Sequence, residues 1–157
     1  MVADVWRLSM KRKSLSEEKC PVARSLDIIG DWWTLLIVRD ALAGLTRFND
    51  FARSLGAAKT SLSTRLKTLV AEGIFEVRPA SDGSAYQEYV LTSKGRALAP
   101  VLIGLEQWGA THAFKPGEPV STFVEKKTRR PLKKIELKSS DGRVLRATDI
   151  QWLSGLD

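Results

Sequence analysis

The stretch from Ala57 to Ile74, AAKTSLSTRLKTLVAEGI, constrains the fold more than any other, because its apolar residues follow a single period. They recur at positions i, i+4, i+7 and i+8, which is the spacing of one buried helix face. These residues are Leu62, Leu66, Leu69 and Val70. The other face carries the hydroxyl-bearing and basic residues Thr60, Ser61, Ser63, Thr64, Arg65, Lys67 and Thr68. The pattern predicts a helix with an apolar back and a small, basic, hydroxyl-rich front.

Such a front suits a helix that enters the major groove of DNA. Short side chains let the backbone approach closely, while Ser, Thr, Arg and Lys offer hydrogen-bond donors to phosphates and base edges. The same pattern also occurs on the solvated face of an ordinary surface helix. The neighbouring segments therefore decide between the two interpretations.

Three helices are predicted before this stretch. Pro21 to Gly30 has a proline in its first turn and a glycine at its end. Asp31 is an N-cap candidate for the next helix, which is so apolar that we expect it at the centre of the core. Thr46 to Leu55 is short and amphipathic, and Gly56 follows it as a breaker. Two short helices joined by a tight turn that contains glycine form a helix-turn-helix.

A β-hairpin is predicted directly after the polar-fronted helix. Ile74 to Arg78 and Tyr86 to Leu91 have strand composition, and Asp82-Gly83 supplies the turn. This order corresponds to the winged form of the motif, in which the hairpin tip lies along the DNA backbone or in a minor groove. The candidate contacts in this wing are Arg78, Ser81 and Ser84. An ordinary solvated hairpin remains the alternative.

A further helix is predicted from Ser93 to Phe114, with Thr92 as its N-cap and a kink at Pro100. Its apolar stripe belongs either to the core or to a dimer seam, since dimers of such domains bind two half-sites. The N-terminal segment offers two more apolar residues for a partner subunit. The candidate dimer residues are Trp6, Leu8, Leu98, Leu102, Leu105 and Trp108.

The net charge of +7 favours an anionic partner, and its distribution divides the chain into three parts. Residues 1–19 hold five basic and three acidic side chains and are predicted to form a basic arm. Residues 20–114, the predicted winged domain, hold ten and nine. Residues 115–157 hold ten and six, and combine a basic linker with a second hairpin, Leu132 to Lys138 and Arg143 to Thr148. This extension is too small to fold alone and should pack on the main domain.

Several classes of protein are disfavoured. One cysteine, Cys20, excludes an intramolecular disulfide, and with a single histidine, His112, no Cys/His zinc cluster can be assembled. No nucleophile motif accompanies that histidine, so we expect neither an enzyme nor a cofactor. The apolar runs are too short to span a bilayer and no signal peptide is evident, which predicts a cytoplasmic protein. The expected fold class is α+β, mostly helical.

The chain resembles the HxlR-type family of bacterial winged helix-turn-helix transcription regulators, which are relatives of the MarR type. The resemblance covers roughly Cys20 to His112 and rests on several segments in order. These are CPVARSLDIIGDWWTLLIVRDALAG, TRFNDF, SLSTRLKTLVAEGIFE, EYVLTSKGRALAPVL and EQWG. The tail, with DGR and DIQWL, is similar to an extension found on some members.

The resemblance implies a homodimeric regulator that binds double-stranded operator DNA. The helix near Lys59 to Leu69 would enter the major groove, and the hairpin would be the wing. Some members sense oxidants through a cysteine at the position of Cys20, which makes this residue a candidate sensor and a small molecule or oxidant a candidate effector. The family usually begins the groove helix with Ser-Pro, where this chain has Ala58-Lys59. Either the helix starts without a side-chain cap, or Thr60 or Ser61 supplies one.

Two groups of candidate DNA contacts follow. Phosphate contacts are expected from Arg47, Lys59, Lys67, Arg78 and the basic arms, and base contacts from Thr60, Ser61, Thr64 and Arg65. The competing interpretation is a winged-helix module that binds protein, which the nearly neutral charge of residues 20–114 favours.

Overall fold

The computed structural model describes residues 14–153, which form six α-helices, two antiparallel hairpins and one 3-10 turn. The helices are α1 (Pro21–Ile29), α2 (Trp32–Leu42), α3 (Phe48–Leu55), α4 (Lys59–Ala71), α5 (Ser93–Arg96) and α6 (Ala99–His112). The strands are β1 (Phe75–Pro79), β2 (Gln87–Leu91), β3 (Leu137–Lys138) and β4 (Val144–Leu145), followed by the 3-10 turn Ala147–Asp149. The predicted α+β winged helix-turn-helix with a hairpin extension is confirmed.

The core lies where α2 meets α3, α4 and the wing. Ile37 and Val38 of α2 are completely buried, as is Phe51 of α3. The Phe51 ring meets Phe75 of β1 edge to face, with centroids 6.3 Å apart. The expectation of a fully central α2 was wrong at its first turn, because Trp32 is 64% exposed.

The turn between α3 and α4 depends on a glycine. Gly56 ends α3 with φ of 58°, in the left-handed region that residues other than glycine rarely adopt. Helix α4 then begins at Lys59, and Ala58 provides no side-chain cap. Of the two predicted alternatives, the uncapped start is the one observed, so Thr60 and Ser61 lie inside the helix.

The wing is a five-residue antiparallel pairing that is fastened to the helices. Phe75 pairs with Leu91 at the base and Pro79 with Gln87 near the tip. Each strand begins one residue later than predicted. At the base, Tyr89 N–H donates to the Thr46 carbonyl at 2.7 Å. The loop before α3 therefore runs beside β2 and fixes the wing against the helix-turn-helix.

The prediction of one continuous helix after the wing was wrong. Helix α5 ends at Arg96 and α6 begins at Ala99, so that Pro100 lies in a first turn, where its missing N–H costs no hydrogen bond. Gly95 packs so closely on the wing that an added Cβ would lie 2.3 Å from the Ile74 carbonyl oxygen. This contact holds α5 against the base of the wing.

The C-terminal extension, taken as residues 115–153, packs on α6 as expected. The Gln107 side chain donates to the Lys133 carbonyl at 3.0 Å and accepts from Ile135 N–H at 2.8 Å, and Phe123 packs against the core. Its hairpin is shorter than predicted, because only Leu137–Lys138 and Val144–Leu145 pair. The alternating residues around them are exposed and have no partner strand.

The predicted basic arm, with Trp6 and Leu8, lies largely outside the described residues. Within residues 14–153, none of the helices combines the length and the apolar composition that crossing a membrane requires.

Candidate nucleic-acid interface

Helix α4 has the two faces that its sequence predicts. Leu62, Leu66 and Leu69 are at most 2% exposed and form part of the core. The polar residues Lys59, Thr60, Ser61, Thr64, Lys67 and Thr68 are exposed. The helix contains no acidic residue, so its outward surface carries only hydroxyl and basic polar side chains.

The hydroxyl groups on this surface are not equivalent. Thr64 Oγ1 donates to the Thr60 carbonyl at 3.0 Å, and Thr68 Oγ1 donates to the Thr64 carbonyl at 3.1 Å. In this arrangement both hydroxyls offer outside groups only an acceptor. Ser61 and Thr60 have no side-chain hydrogen bond to any residue in 14–153, and their hydroxyls can donate or accept.

Arg65 is held by a residue of another helix. Its Nη1 lies 2.9 Å from Asp31 Oδ2, and its side chain is 43% exposed. The same carboxylate caps α2, accepting from Thr34 N–H at 3.0 Å and from Thr34 Oγ1 at 2.7 Å. Asp31 thus fixes the start of α2 and the position of Arg65 together. The guanidinium retains N–H donors that Asp31 does not use.

An aromatic residue that sequence reasoning did not single out borders the same surface. Trp33 lines a shallow groove of about 410 Å³ together with the α4 residues Thr60, Ser61, Thr64, Arg65 and Thr68. Its ring stacks on Trp32 at a centroid distance of 4.3 Å. The predicted base-contacting residues are therefore brought together around one groove.

Arg47 connects the helix-turn-helix to the wing. Its guanidinium forms an ion pair with Asp82 in the wing turn, and its Nε lies 3.9 Å from Glu88 Oε1. It also lies over the Tyr86 ring, 5.8 Å from the centroid. The pairing with Asp82 raises the pKa of Arg47. The Ser84 hydroxyl and backbone N–H, followed by Arg47, hold the pKa of Asp82 well below its usual range.

The other candidate contacts of the wing also have partners within it. Arg78 forms an ion pair with Glu76 on the same strand. Ser81 Oγ donates to Glu88 Oε1 at 3.2 Å, and Ser84 N–H donates to Asp82 Oδ1 at 3.0 Å. Lys59 and Lys67, in contrast, have no ion pair with any residue in 14–153.

Cys20 is half-buried at the start of α1, where its Sγ accepts from Ala23 N–H at 3.4 Å. The thiol thus acts as the N-cap of the helix. The neighbouring Arg24 donates through Nε to the Glu18 carbonyl at 2.5 Å. No group of three or more His, Cys, Asp or Glu suited to a metal ion occurs within the described residues.

The candidate dimer residues of α5 and α6 differ in exposure. Leu102 is only 7% exposed and belongs to the protein's own core, so its assignment to a subunit seam was wrong. Leu98 is half-buried. Leu105 and Trp108 are 49% and 64% exposed, and the unpredicted Val101 is 46% exposed.

Comparison with known proteins places this geometry in a family. The model of the HxlR-like helix-turn-helix matches residues 28–116. The crystal structure of PA1607, a proposed transcription factor, superposes with a TM-score of 0.83 at 46% identity and covers 89% of this chain and 98% of that one. The redox regulator HypR in its reduced form superposes with a TM-score of 0.55 at 30% identity, over 60% of this chain and 94% of that one.

The HTH-type transcriptional regulator Rv3095 of Mycobacterium tuberculosis is 42% identical over 98 residues. That match covers 62% of this chain and 62% of the relative, so the chain spans less than two thirds of the relative's length. These relatives are regulators and not enzymes. Because the family model matches more than half of its residues, the chain belongs to the HxlR-like helix-turn-helix family of transcriptional regulators.

Proposed function

We propose that the protein is a dimeric regulator that binds double-stranded operator DNA, with α4 in the major groove and the β1–β2 wing on the backbone or in a minor groove. The observation that carries this proposal is the surface of α4. Its leucines are in the core, while its outward face presents Lys59, Thr60, Ser61 and Arg65 without any acidic residue on the helix.

The uncapped start of α4 supports the same role. The first backbone N–H groups of a helix have no partner within the helix and carry partial positive charge, so they bind phosphate well. Ala58 offers no side-chain acceptor to these N–H groups. Lys59 stands beside them with no ion pair among residues 14–153. Together they can hold one DNA phosphate and set how deeply α4 enters the groove.

Base contacts are assigned to Ser61, Thr64 and Arg65. Ser61 can donate or accept, Thr64 accepts, and Arg65 can donate to the O6 and N7 atoms of guanine. Asp31 restricts the conformations of Arg65 before DNA arrives, which lowers the entropy lost on binding. Lys67, Arg47, Arg78, Ser81 and Ser84 are assigned to the DNA backbone.

Dimerisation is assigned to the exposed face of α6. Leu105 and Trp108 leave apolar surface in water that a second copy would cover. A dimer would place two copies of α4 on successive half-sites, about one helical turn of DNA apart. Leu98 and the N-terminal Trp6 and Leu8 are proposed to extend this seam.

Oxidant sensing is assigned to Cys20, the one cysteine of the chain. HypR, a relative of similar fold, is described as a redox regulator and was solved in reduced and oxidised forms. Oxidation of the Cys20 thiol by a peroxide, to a sulfenic acid with release of the reduced oxidant, would change the group that caps α1, because its sulfur accepts from Ala23 N–H. Cys20→Ser, which keeps a capping atom, should bind DNA but lose any response to oxidant.

The competing function is a winged module that binds protein. The ion pairs of Arg47, Arg65 and Arg78 with carboxylates favour it, because paired arginines offer less charge to DNA. The test is fluorescence anisotropy of the purified chain with the DNA upstream of its own gene and with random DNA. Specific binding should fall by orders of magnitude between about 50 and about 200 mM salt. Equal, salt-insensitive binding to both DNAs, or none, would favour the protein-binding alternative.

A further inference from the structure

We propose that a cavity between α2, α6 and the C-terminal extension binds a small molecule with an apolar, aromatic body and a protonated amine. The cavity has a volume of about 620 Å³, within the range of about 300 to 1,000 Å³ typical of small-molecule sites. It is separate from the α4 groove, and none of the predicted DNA contacts lines it.

The walls are mostly apolar and come from three parts of the chain. Leu35 and Leu36 of α2 face Leu102 and Leu105 of α6, and Phe123 of the extension completes the lining. Phe123 also packs against the core, which fixes this part of the extension in place. The walls therefore belong to packed elements and suit the apolar body of a small molecule.

Within the described part of the chain, the one buried polar residue that lines the cavity is Asp40. The residue is only 5% exposed, and its Oδ1 pairs with Arg39, 2.9 Å from Nε and 2.7 Å from Nη2. Its Oδ2 is buried and accepts no hydrogen bond from any residue in 14–153. A buried carboxylate oxygen without a donor is costly, and most such atoms have a partner. Asp40 lines the cavity, and a turn of its side chain would present this oxygen to an N–H group of a ligand there.

The charges around the cavity favour a cation. Asp40 and Arg39 pair with each other, which leaves Glu106 as the lining charge that has no ion pair among residues 14–153. An anionic ligand would meet the Glu106 carboxylate, and a purely apolar ligand would leave Asp40 Oδ2 without a donor. Trp32, 64% exposed at the same cavity, offers a ring face to an ammonium group or to an aromatic body.

A second copy of the chain is the other occupant to consider, because Leu105 belongs both to the cavity and to the proposed dimer seam. Trp108, the more exposed residue of that seam, does not line the cavity. An apolar side chain from a partner would cover the walls but leave Asp40 unsatisfied. An amine, which can donate to Asp40, therefore fits this cavity better than an apolar side chain of a second copy.

The test uses three probes with one apolar body: 4-phenylbutylamine, 4-phenylbutanol and 4-phenylbutyrate. Each is titrated into the full chain by isothermal titration calorimetry. The amine should bind about tenfold or more tightly than the alcohol or the acid, because it alone makes a charge-assisted hydrogen bond to Asp40. Asp40→Asn should remove this preference while leaving the affinity for the alcohol within about twofold.

A second variant guards against misfolding of Asp40→Asn. Thr122 is an exposed lining residue of the extension, and Thr122→Trp should fill the cavity and abolish binding of both amine and alcohol. Thr148→Trp, at an exposed position outside the cavity, is the matched control and should bind as the unmodified chain does. Equal affinities for amine and alcohol would overturn the proposal. The proposal would also be overturned if none of the probes bound the unmodified chain and Thr122→Trp no longer formed a dimer. That result would assign the cavity to a second copy of the chain.

Discussion

Two basic residues of helix α4 have no ion pair within residues 14–153, whereas those in and beside the wing are paired with carboxylates. On α4, Lys59 and Lys67 have no ion pair within residues 14–153. In and beside the wing, Arg47 is paired with Asp82, and Arg78 with Glu76. A count of basic residues therefore overestimates the positive charge that the wing offers to DNA. In the proposed complex, α4 supplies most of the charge and the wing supplies shape.

The physical reason is the release of counterions. An unpaired lysine neutralises a phosphate and displaces a counterion, and each such contact steepens the salt dependence of binding. An arginine already paired with a carboxylate must first exchange partners, or else it brings the carboxylate's negative charge close to the DNA. Exposed ion pairs are weak, so an arginine can exchange a carboxylate for a phosphate. The gain in DNA affinity is smaller than for an unpaired lysine.

Arg65 belongs to neither class. It is paired with Asp31, yet its side chain is 43% exposed, and Asp31 is itself committed to the start of α2. The pair therefore positions the guanidinium more than it neutralises it. If the proposed function is right, removing this side chain should have the largest effect of any single substitution on the surface.

Arg65→Ala should weaken binding to the specific site by about 1 to 3 kcal/mol and relax specificity, because a bidentate contact to guanine would be lost. Anisotropy titrations with specific and random DNA at one salt concentration measure both effects. Arg53→Ala is the control, since Arg53 is an exposed α3 arginine whose one ion pair among residues 14–153 is with Asp50. An equal loss on both DNAs would make Arg65 a phosphate contact.

Lys67→Ala should weaken binding uniformly across sequences, because a phosphate contact carries no sequence information. The slope of log affinity against log salt should become shallower by about 0.9, the value for one phosphate. Lys138→Ala, in the C-terminal hairpin and paired with Glu136, is the matched lysine control. An unchanged slope in Lys67→Ala would mean that Lys67 does not contact a phosphate, and that α4 does not supply most of the charge in the complex.

In the wing, removing the acidic partner of an arginine should change DNA affinity about as much as removing the arginine itself, in the opposite direction. Glu76→Gln should free Arg78 and tighten binding by a few tenths of a kcal/mol, the size typical of an exposed pair. Arg78→Ala should weaken binding by no more than a similar amount. Both are read from anisotropy at low salt. If Glu76→Gln did not tighten binding and Arg78→Ala caused a large loss, Arg78 would contact DNA directly in spite of its pairing with Glu76. The wing would then contribute more charge than is proposed here.

Local patterns in the sequence were sufficient for the elements of the site. Leu62, Leu66 and Leu69 repeat at helical spacing, and Gly56 marks the turn before them, so α4 and its polar front could be predicted. The same spacing could not reveal that α5 and α6 are separate. That break goes with the packing of Gly95 against Ile74, which is a contact between distant parts of the chain.

The partners of the arginines could not be predicted for the same reason. Arg47 and Asp82 are 35 positions apart, and no periodicity links them. Asp31 was identified as a helix cap from its neighbours, but its ion pair with Arg65 depends on how α2 packs beside α4. The apolar run of α2 likewise gave no sign that Trp32 would be exposed.

The smallest expected effect concerns the ion pair between Arg47 and Asp82. A carboxylate whose pKa is lowered in the folded state stabilises that state above its unfolded pKa, about 4 for Asp, and loses this contribution as pH falls through the folded pKa. Hydrogen bonds from Ser84, followed by Arg47, lower the pKa of Asp82. The wing turn should therefore keep its geometry well below pH 4.

Arg47→Gln should raise the pKa of Asp82 only part of the way to its usual value, because Ser84 N–H still donates to Oδ1 at 3.0 Å. Carboxyl carbon shifts in an NMR titration of Asp82 measure this directly, and the wing amide resonances should begin to move at higher pH than in the unmodified chain. Arg78→Gln, which removes the other wing arginine, should leave the Asp82 titration unchanged. If Asp82 had an ordinary pKa in the unmodified chain, Arg47 would not be ion-paired with it. Arg47 would then be available to DNA in the same way as Lys59 and Lys67.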